Sequence, residues 1–152
     1  IAKGIASLEQ AVALDSRESR FLFELDVHYE AAGVPVARRL AMLSSHHAVV
    51  AERDDTLTRE IMLLTVGGQP ERALELLRGR RFQNWEGSSQ IHGVYVEACL
   101  WAAQRHLVAN KPREALEAAQ AALEHPENLR VGRGRRVARR HRYCDAEGHE
   151  LP

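Results

Sequence analysis

Few residues in this sequence are of types that do chemistry, and their spacing decides what each can do. His46 and His47 are adjacent. Neighbours on a helix project about 100° apart, so the pair cannot close on one metal ion as an i, i+4 pair does. His47 also falls on an apolar stripe with Val36, Leu40, Leu43 and Val50, which reads as packing. Cys99 with His92 or His106 supplies the residue types of a thiolate and its base. Its helical neighbours Val94, Ala98 and Ala102 are apolar, however, and a buried thiol is ordinarily inert. Trp85-Glu86-Gly87 is the most pointed group. Its indole could stack on a sugar ring while the carboxylate bonds a hydroxyl; the plainer reading has Trp85 filling a gap between helices. No HExxH, phosphate-cradling glycine loop or nucleophile elbow is present. No residue is assigned as catalytic, cofactor-binding or metal-ligating, and the chain is expected not to be an enzyme. The candidate interaction loop holds Phe82, Trp85, Glu86 and, just beyond it, His92.

Charge points to one further region. Residues 1–129 carry 14 basic and 18 acidic side chains, whereas 130–152 hold seven arginines and three acids. A run of arginines can clamp phosphates without reading sequence. Here no aromatics interleave it before Tyr143 and no nucleic-acid fold accompanies it, so nucleic-acid binding ranks below a solvated terminus. A third reading is a shifted reading frame in GC-rich coding sequence, since near Gly132 the chain switches abruptly to Arg, Gly and His. An intact frame in the gene beyond codon 132 would exclude it.

The elements that must position these residues are helical. Apolar residues make up 45% of the chain and aromatics only 5%, with Ala and Leu abundant, which favours helices over a β-sandwich. Ile1, Ile5, Leu8 and Val12 share one helical face. Asp15 with Glu18 predicts a capping box for a helix over about 17–32. Val36 to Val50 forms the stripe of its partner. Asp54 or Asp55 is expected to cap a helix carrying Leu57, Ile61 and Leu64, followed by a partner over about 70–79. Ser88 or Ser89 opens a long helix to about 109, apolar nearly all round at Ile91, Val94, Tyr95, Ala98, Trp101 and Val108, as a sandwiched helix would be. Pro112 starts the last helix, ending near Glu124.

Three places share one grammar: Gly33-Val34-Pro35, Gly68-Gln69-Pro70 and Asn110-Lys111-Pro112. A residue tolerant of positive φ closes one helix and proline opens the next. Ala37, Ala73 and Ala115 follow, each a small residue expected to let the second helix approach the first. The turns imply hairpins over about 17–53, 55–79 and 88–125, preceded by a half-repeat at 1–14. The helical domain is thus 1–129, with an arginine-rich tail at 130–152. The expected fold is all-α, a short right-handed helical-hairpin solenoid of degenerate tetratricopeptide-like repeats, whose usual period is about 34 residues.

No run of about 18 apolar residues exists, and Cys99 and Cys144 show no metal or disulfide spacing, so a cytoplasmic protein is expected. The start at Ile1, without Met, reads as the cut end of a longer protein.

The stretch 82–132 goes further. Phe82-Gln-Asn-Trp85-Glu86-Gly87, Ile91-His92, Tyr95-Val96, Lys111-Pro112 and Pro126-Glu127-Asn128-Leu129 occur in order. They resemble a bacterial family in which tetratricopeptide-like helical repeats follow a β-rich domain of unknown function, itself similar to carbohydrate-processing folds. The resemblance implies a C-terminal repeat region whose partner is another protein or that β-rich domain of the same polypeptide. It supplies no catalytic residues. Three functions follow as expectations: a non-catalytic scaffold for protein–protein or interdomain contact, a carbohydrate-active accessory segment using the Trp85 loop, or phosphate binding by the tail. Self-association through exposed repeat faces is a further expectation.

Overall fold

A computed structural model describes residues 2–83 and 89–129. Among these the chain forms α1 (Ala2–Leu14), α2 (Ser19–Ala31), α3 (Val36–Ser45), α4 (His47–Val50), α5 (Asp54–Val66), α6 (Pro70–Arg78), α7 (Ser89–Val108) and α8 (Pro112–Ala121), then a 3-10 turn at Glu127–Leu129. No strand occurs among the described residues. The fold class is all-α.

The three predicted turns close in the same way. Gly33, Gly68 and Asn110 take positive φ, at 70°, 81° and 57°. After each, the next amide reaches back five residues: Val34 to the Tyr29 carbonyl, Gln69 to Leu64 and Lys111 to His106, at 2.8–2.9 Å. This Schellman pattern satisfies carbonyls that a helix end leaves unpaired.

Proline's place differs in the first turn. Pro70 and Pro112 are the first helical residues, whereas Pro35 is the N-cap of α3, at ψ 142°. That shifts α3 by one residue. The position matching Ala73 and Ala115, fourth in its helix, is therefore Arg39 and not Ala37. Ala73 and Ala115 are buried as expected, while Ala37 is exposed. Counted by helix starts, Val36 and Pro70 are 34 residues apart, and Pro70 and Pro112 are 42 apart.

Two helix starts depart from expectation. Glu18, not Asp15, is the N-cap of α2, its carboxylate accepting from the Arg20 amide at 3.0 Å; Asp15 accepts from the Arg17 amide in the turn before. Arg53 occupies the N-cap of α5, and Asp54 and Asp55 lie in its first turn, where a helix N-terminus favours negative charge. The second helix of the first pair is also broken. His46, at φ −115°, separates α3 from α4, beside Ser45 Oγ and His46 Nδ1, both of which bond the Met42 carbonyl. Such local side-chain bonds compete with the helix ladder.

Packing follows chain order. α1 meets α2; α2 meets α3 and α5; α3 meets α5; α5 meets α6 and α7; α6 meets α7; and α7 meets α8. One apolar core runs through these contacts, from Leu22 and Leu43 through Ile61, Leu64 and Leu77 to Ile91, Tyr95 and Cys99. Buried polar groups bridge consecutive pairs. Asp26 holds Arg39 at 2.8 Å and Arg59 at 2.6 Å, and buried Glu60 takes Ser44 Oγ at 2.9 Å and His47 Nδ1 at 2.7 Å. Ser19 donates to Thr56 at 3.1 Å. Among the described residues no buried side-chain nitrogen or oxygen lacks a partner.

Candidate interaction surface

The first helices of the three pairs, α2, α5 and α7, lie side by side, and part of their shared face stays open. Arg59, Met62 and Val66 step along α5 by three and four residues, one stripe. Counted back from the left-handed turn residue, Arg59 and Val66 fall where α7 has Trp101 and Val108. Met62, Val66, Trp101 and Val108 are all exposed. A cleft of about 190 Å³ is lined by Glu30 of α2, Val36 and Arg39 of α3, Arg59, Met62 and Val66 of α5, and Glu97 of α7. A second, of about 350 Å³, is lined by Trp101, Gln104, Arg105, Val108 and Ala109.

Charge frames this apolar line. Arg59 is clamped by Asp26 and by Glu30 at 2.7 Å. The Arg59 guanidinium, against partial burial, holds the Glu30 carboxyl below its usual range, with Arg39 adding to the effect. Arg105 bonds the Gly68 carbonyl and reaches Glu71 at 3.0 Å, tying α7 to the turn between α5 and α6. The surface is thus set by rigid helices with pinned charges.

Of the candidate loop residues singled out in the sequence, Phe82 and His92 lie elsewhere. Phe82 is fully buried and belongs to the core, so its ring is a packing group and not an exposed aromatic. Its segment is tied at both ends. Asp54 accepts from Arg80 Nε at 2.5 Å and from the Gln83 amide at 2.7 Å, while the Phe82 amide donates to the Asn128 carbonyl at 2.9 Å. Asn128 Nδ2 donates to the Leu77 and Arg80 carbonyls at 2.7 and 2.8 Å, filling the end of α6. Trp85 and Glu86 lie outside the described residues, as does the arginine tail. His92 is half-buried, with Nε2 3.0 Å from the Glu124 carbonyl and its ring stacked on His125 at 4.2 Å. It fastens the segment after α8 to α7.

Cys99 is buried, and burial pushes its thiol pKa up, so the thiolate is disfavoured. Beside it, burial and the Cys99 thiol push the Tyr95 hydroxyl up to about 12. His47 faces Glu60 and not a second histidine. Among the described residues no three His, Cys, Asp or Glu side chains group as a metal site. No described helix is long and apolar enough to cross a membrane.

Sequence reasoning missed Met62, Val66, Trp101 and Val108 as a surface. Trp101 and Val108 were expected inside a sandwiched helix. α7 instead packs on one side, against α5, α6 and α8, and no described helix covers the other. The available signal was register: residues matched from each turn fall on the same face.

No protein-family model matches the chain, and no solved structure matches it.

Proposed function

We propose that this chain is a non-catalytic docking module of tetratricopeptide-like form, a short right-handed solenoid of helix pairs that binds a protein segment along the face of α2, α5 and α7. Four features support the solenoid reading: the repeated turns, contact in chain order, buried polar bridges between consecutive pairs, and a separation of 34 residues between Val36 and Pro70. The observation that carries the function is the line of exposed Met62, Val66, Trp101 and Val108 on well-packed helices, since exposed apolar lines on rigid scaffolds mark binding surfaces. Its partner is an apolar peptide segment, either of another protein or of a β-rich domain of the same polypeptide.

The test is selection of displayed peptides against chain 1–152, followed by titration of the selected sequences. Trp101→Glu and Met62→Glu should each weaken binding at least tenfold with the helical circular dichroism unchanged. Selected peptides that bind both variants as tightly as the parent would refute the assignment. The sugar-site alternative rests on Trp85 and Glu86, which lie outside the described residues.

A further inference from the structure

A second surface, bordering the docking face at Gln104, lies at the end of the described stack. On α5, Thr56 and Glu60 meet the preceding pair, through Ser19 and through Ser44 and His47. Thr58 lies two residues from each, about 200° round the helix, so it faces the other way, toward the pair that follows. Thr65, seven residues on, shares its side. Both are buried, at 6% and 1% exposure. Counted from the left-handed turn residue, the same positions on α7 are Leu100 and Leu107, exposed at 51% and 62%. The second helices tell the same story. Leu74, fifth in α6, faces α7 and α8 and is 6% exposed; Leu116, fifth in α8, is 58% exposed, and Leu123 continues its line at 80%. Where the middle pair is covered by the next, the last pair offers leucines to nothing described.

The two helices present one motif. Leu100-Trp-Ala-Ala-Gln-Arg-His-Leu107 and Leu116-Glu-Ala-Ala-Gln-Ala-Ala-Leu123 both read Leu-x-Ala-Ala-Gln-x-x-Leu. Leucines at i and i+7 with Ala and Gln at i+3 and i+4 make a strip with no formal charge on either helix. Because α7 and α8 run antiparallel, Leu107 is level with Leu116 and Leu100 with Leu123.

We propose that this face pairs with the same face of a second copy of the chain, as a two-fold dimer in which α7 and α8 of each copy pack together. Three observations select this occupant. The strip between the leucines is neutral, and the exposed Arg113 and Glu117 beside it pair with each other at 3.1 Å, so two copies meet without net like-charge repulsion. The other end of the stack does not match it: α1 buries no residue, and Leu14 is its one exposed large apolar side chain, which disfavours head-to-tail stacking. The chain's own continuation is unsuited as well. After α8 it turns back, with Asn128 on the end of α6, and residues 130–142 hold seven arginines and two glycines without an apolar stripe.

Sedimentation equilibrium of chain 1–152 tests this. The parent should approach twice the 17.1 kDa chain mass as concentration rises. Leu107→Glu/Leu116→Glu should remain at the single-chain mass with unchanged circular dichroism, because both side chains are already exposed. Trp101→Glu, on the docking face, should dimerise like the parent, which separates failure of this proposal from failure of the docking assignment. A parent that stays monomeric, a double variant that still dimerises, a dimer lost in Trp101→Glu, or a ladder of higher oligomers would each overturn it.

Discussion

Arg39 occupies the close-approach position that Ala73 and Ala115 fill in the later pairs, and the consequences differ at each. Ala73 and Ala115 are buried against the first helix of their pair. Ala115→Leu should therefore overpack the contact between α7 and α8 and cost about 1–3 kcal/mol in urea denaturation. Arg39 is compatible with burial only because Asp26 and Glu30 receive its guanidinium. Removing it leaves the buried Asp26 with Arg59 alone. Arg39→Ala should cost about 3 kcal/mol, the low end for breaking a buried pair, whereas Ala37→Leu, on the surface, should leave the urea midpoint where it was. The alanines were legible in the sequence because a small residue after a turn proline is a local signal. Arg39 was not, since its meaning depends on carboxylates in α2. The same network sets a pH dependence. Arg59 holds the folded Glu30 carboxyl below its unfolded value, so the stability it contributes is present above the unfolded pKa and is lost as pH falls through the folded one. Arg59→Met should flatten that acid limb of a pH–stability profile, and an unchanged limb would contradict the assignment.

At the scale of elements, the turns carry the most specific demand. Gly33 and Gly68 sit at φ 70° and 81°, where a side chain is strained even though nothing crowds a Cβ at either site. Gly68→Ala should cost about 1–2 kcal/mol through backbone strain alone. Asn110→Gly should cost much less, since glycine adopts that geometry freely. Thermal melts of the two variants check the contrast, and equal losses would mean the turn is not what closes α5. These turns were readable because few residues accept positive φ, so the chemistry is written in the residue type. The break at His46 was not readable. The stripe from Val36 to Val50 keeps its period across it, and what interrupts the helix is a set of side-chain bonds to the Met42 carbonyl, together with the reach of Ser44 and His47 to Glu60. Phe82 was placed in a loop correctly, but its burial depends on Asp54 and Asn128, which hold that loop from two distant segments.

Across the whole molecule, burial is uneven in a way that should set the order of opening. α5 is enclosed on nearly every side, with Leu57, Ile61, Leu63 and Leu64 buried alongside Thr56, Thr58, Glu60 and Thr65, and it touches both neighbouring pairs. α1 buries no residue; its bonds to the rest include Glu9 with the Tyr29 hydroxyl at 2.5 Å and a longer reach to Arg38 at 3.4 Å. Local opening free energy tracks such burial, from near zero at poorly packed elements to the global value in the core. Amide hydrogen exchange should therefore rank α5 as most protected, α7 next on its covered side, and α1 as fastest by orders of magnitude. The periodic stripe of α1 is as regular as that of any other helix, so the sequence makes it look equally secure; what it lacks is extensive packing against any helix but α2. Because consecutive pairs are joined by Asp26–Arg59 and Glu60–His47, Arg59→Met should speed exchange in α2 and α5 together while leaving α8 unchanged. Protection in α1 equal to that in α5, or a uniform response of all helices to Arg59→Met, would show that the chain opens as one cooperative block and not pair by pair.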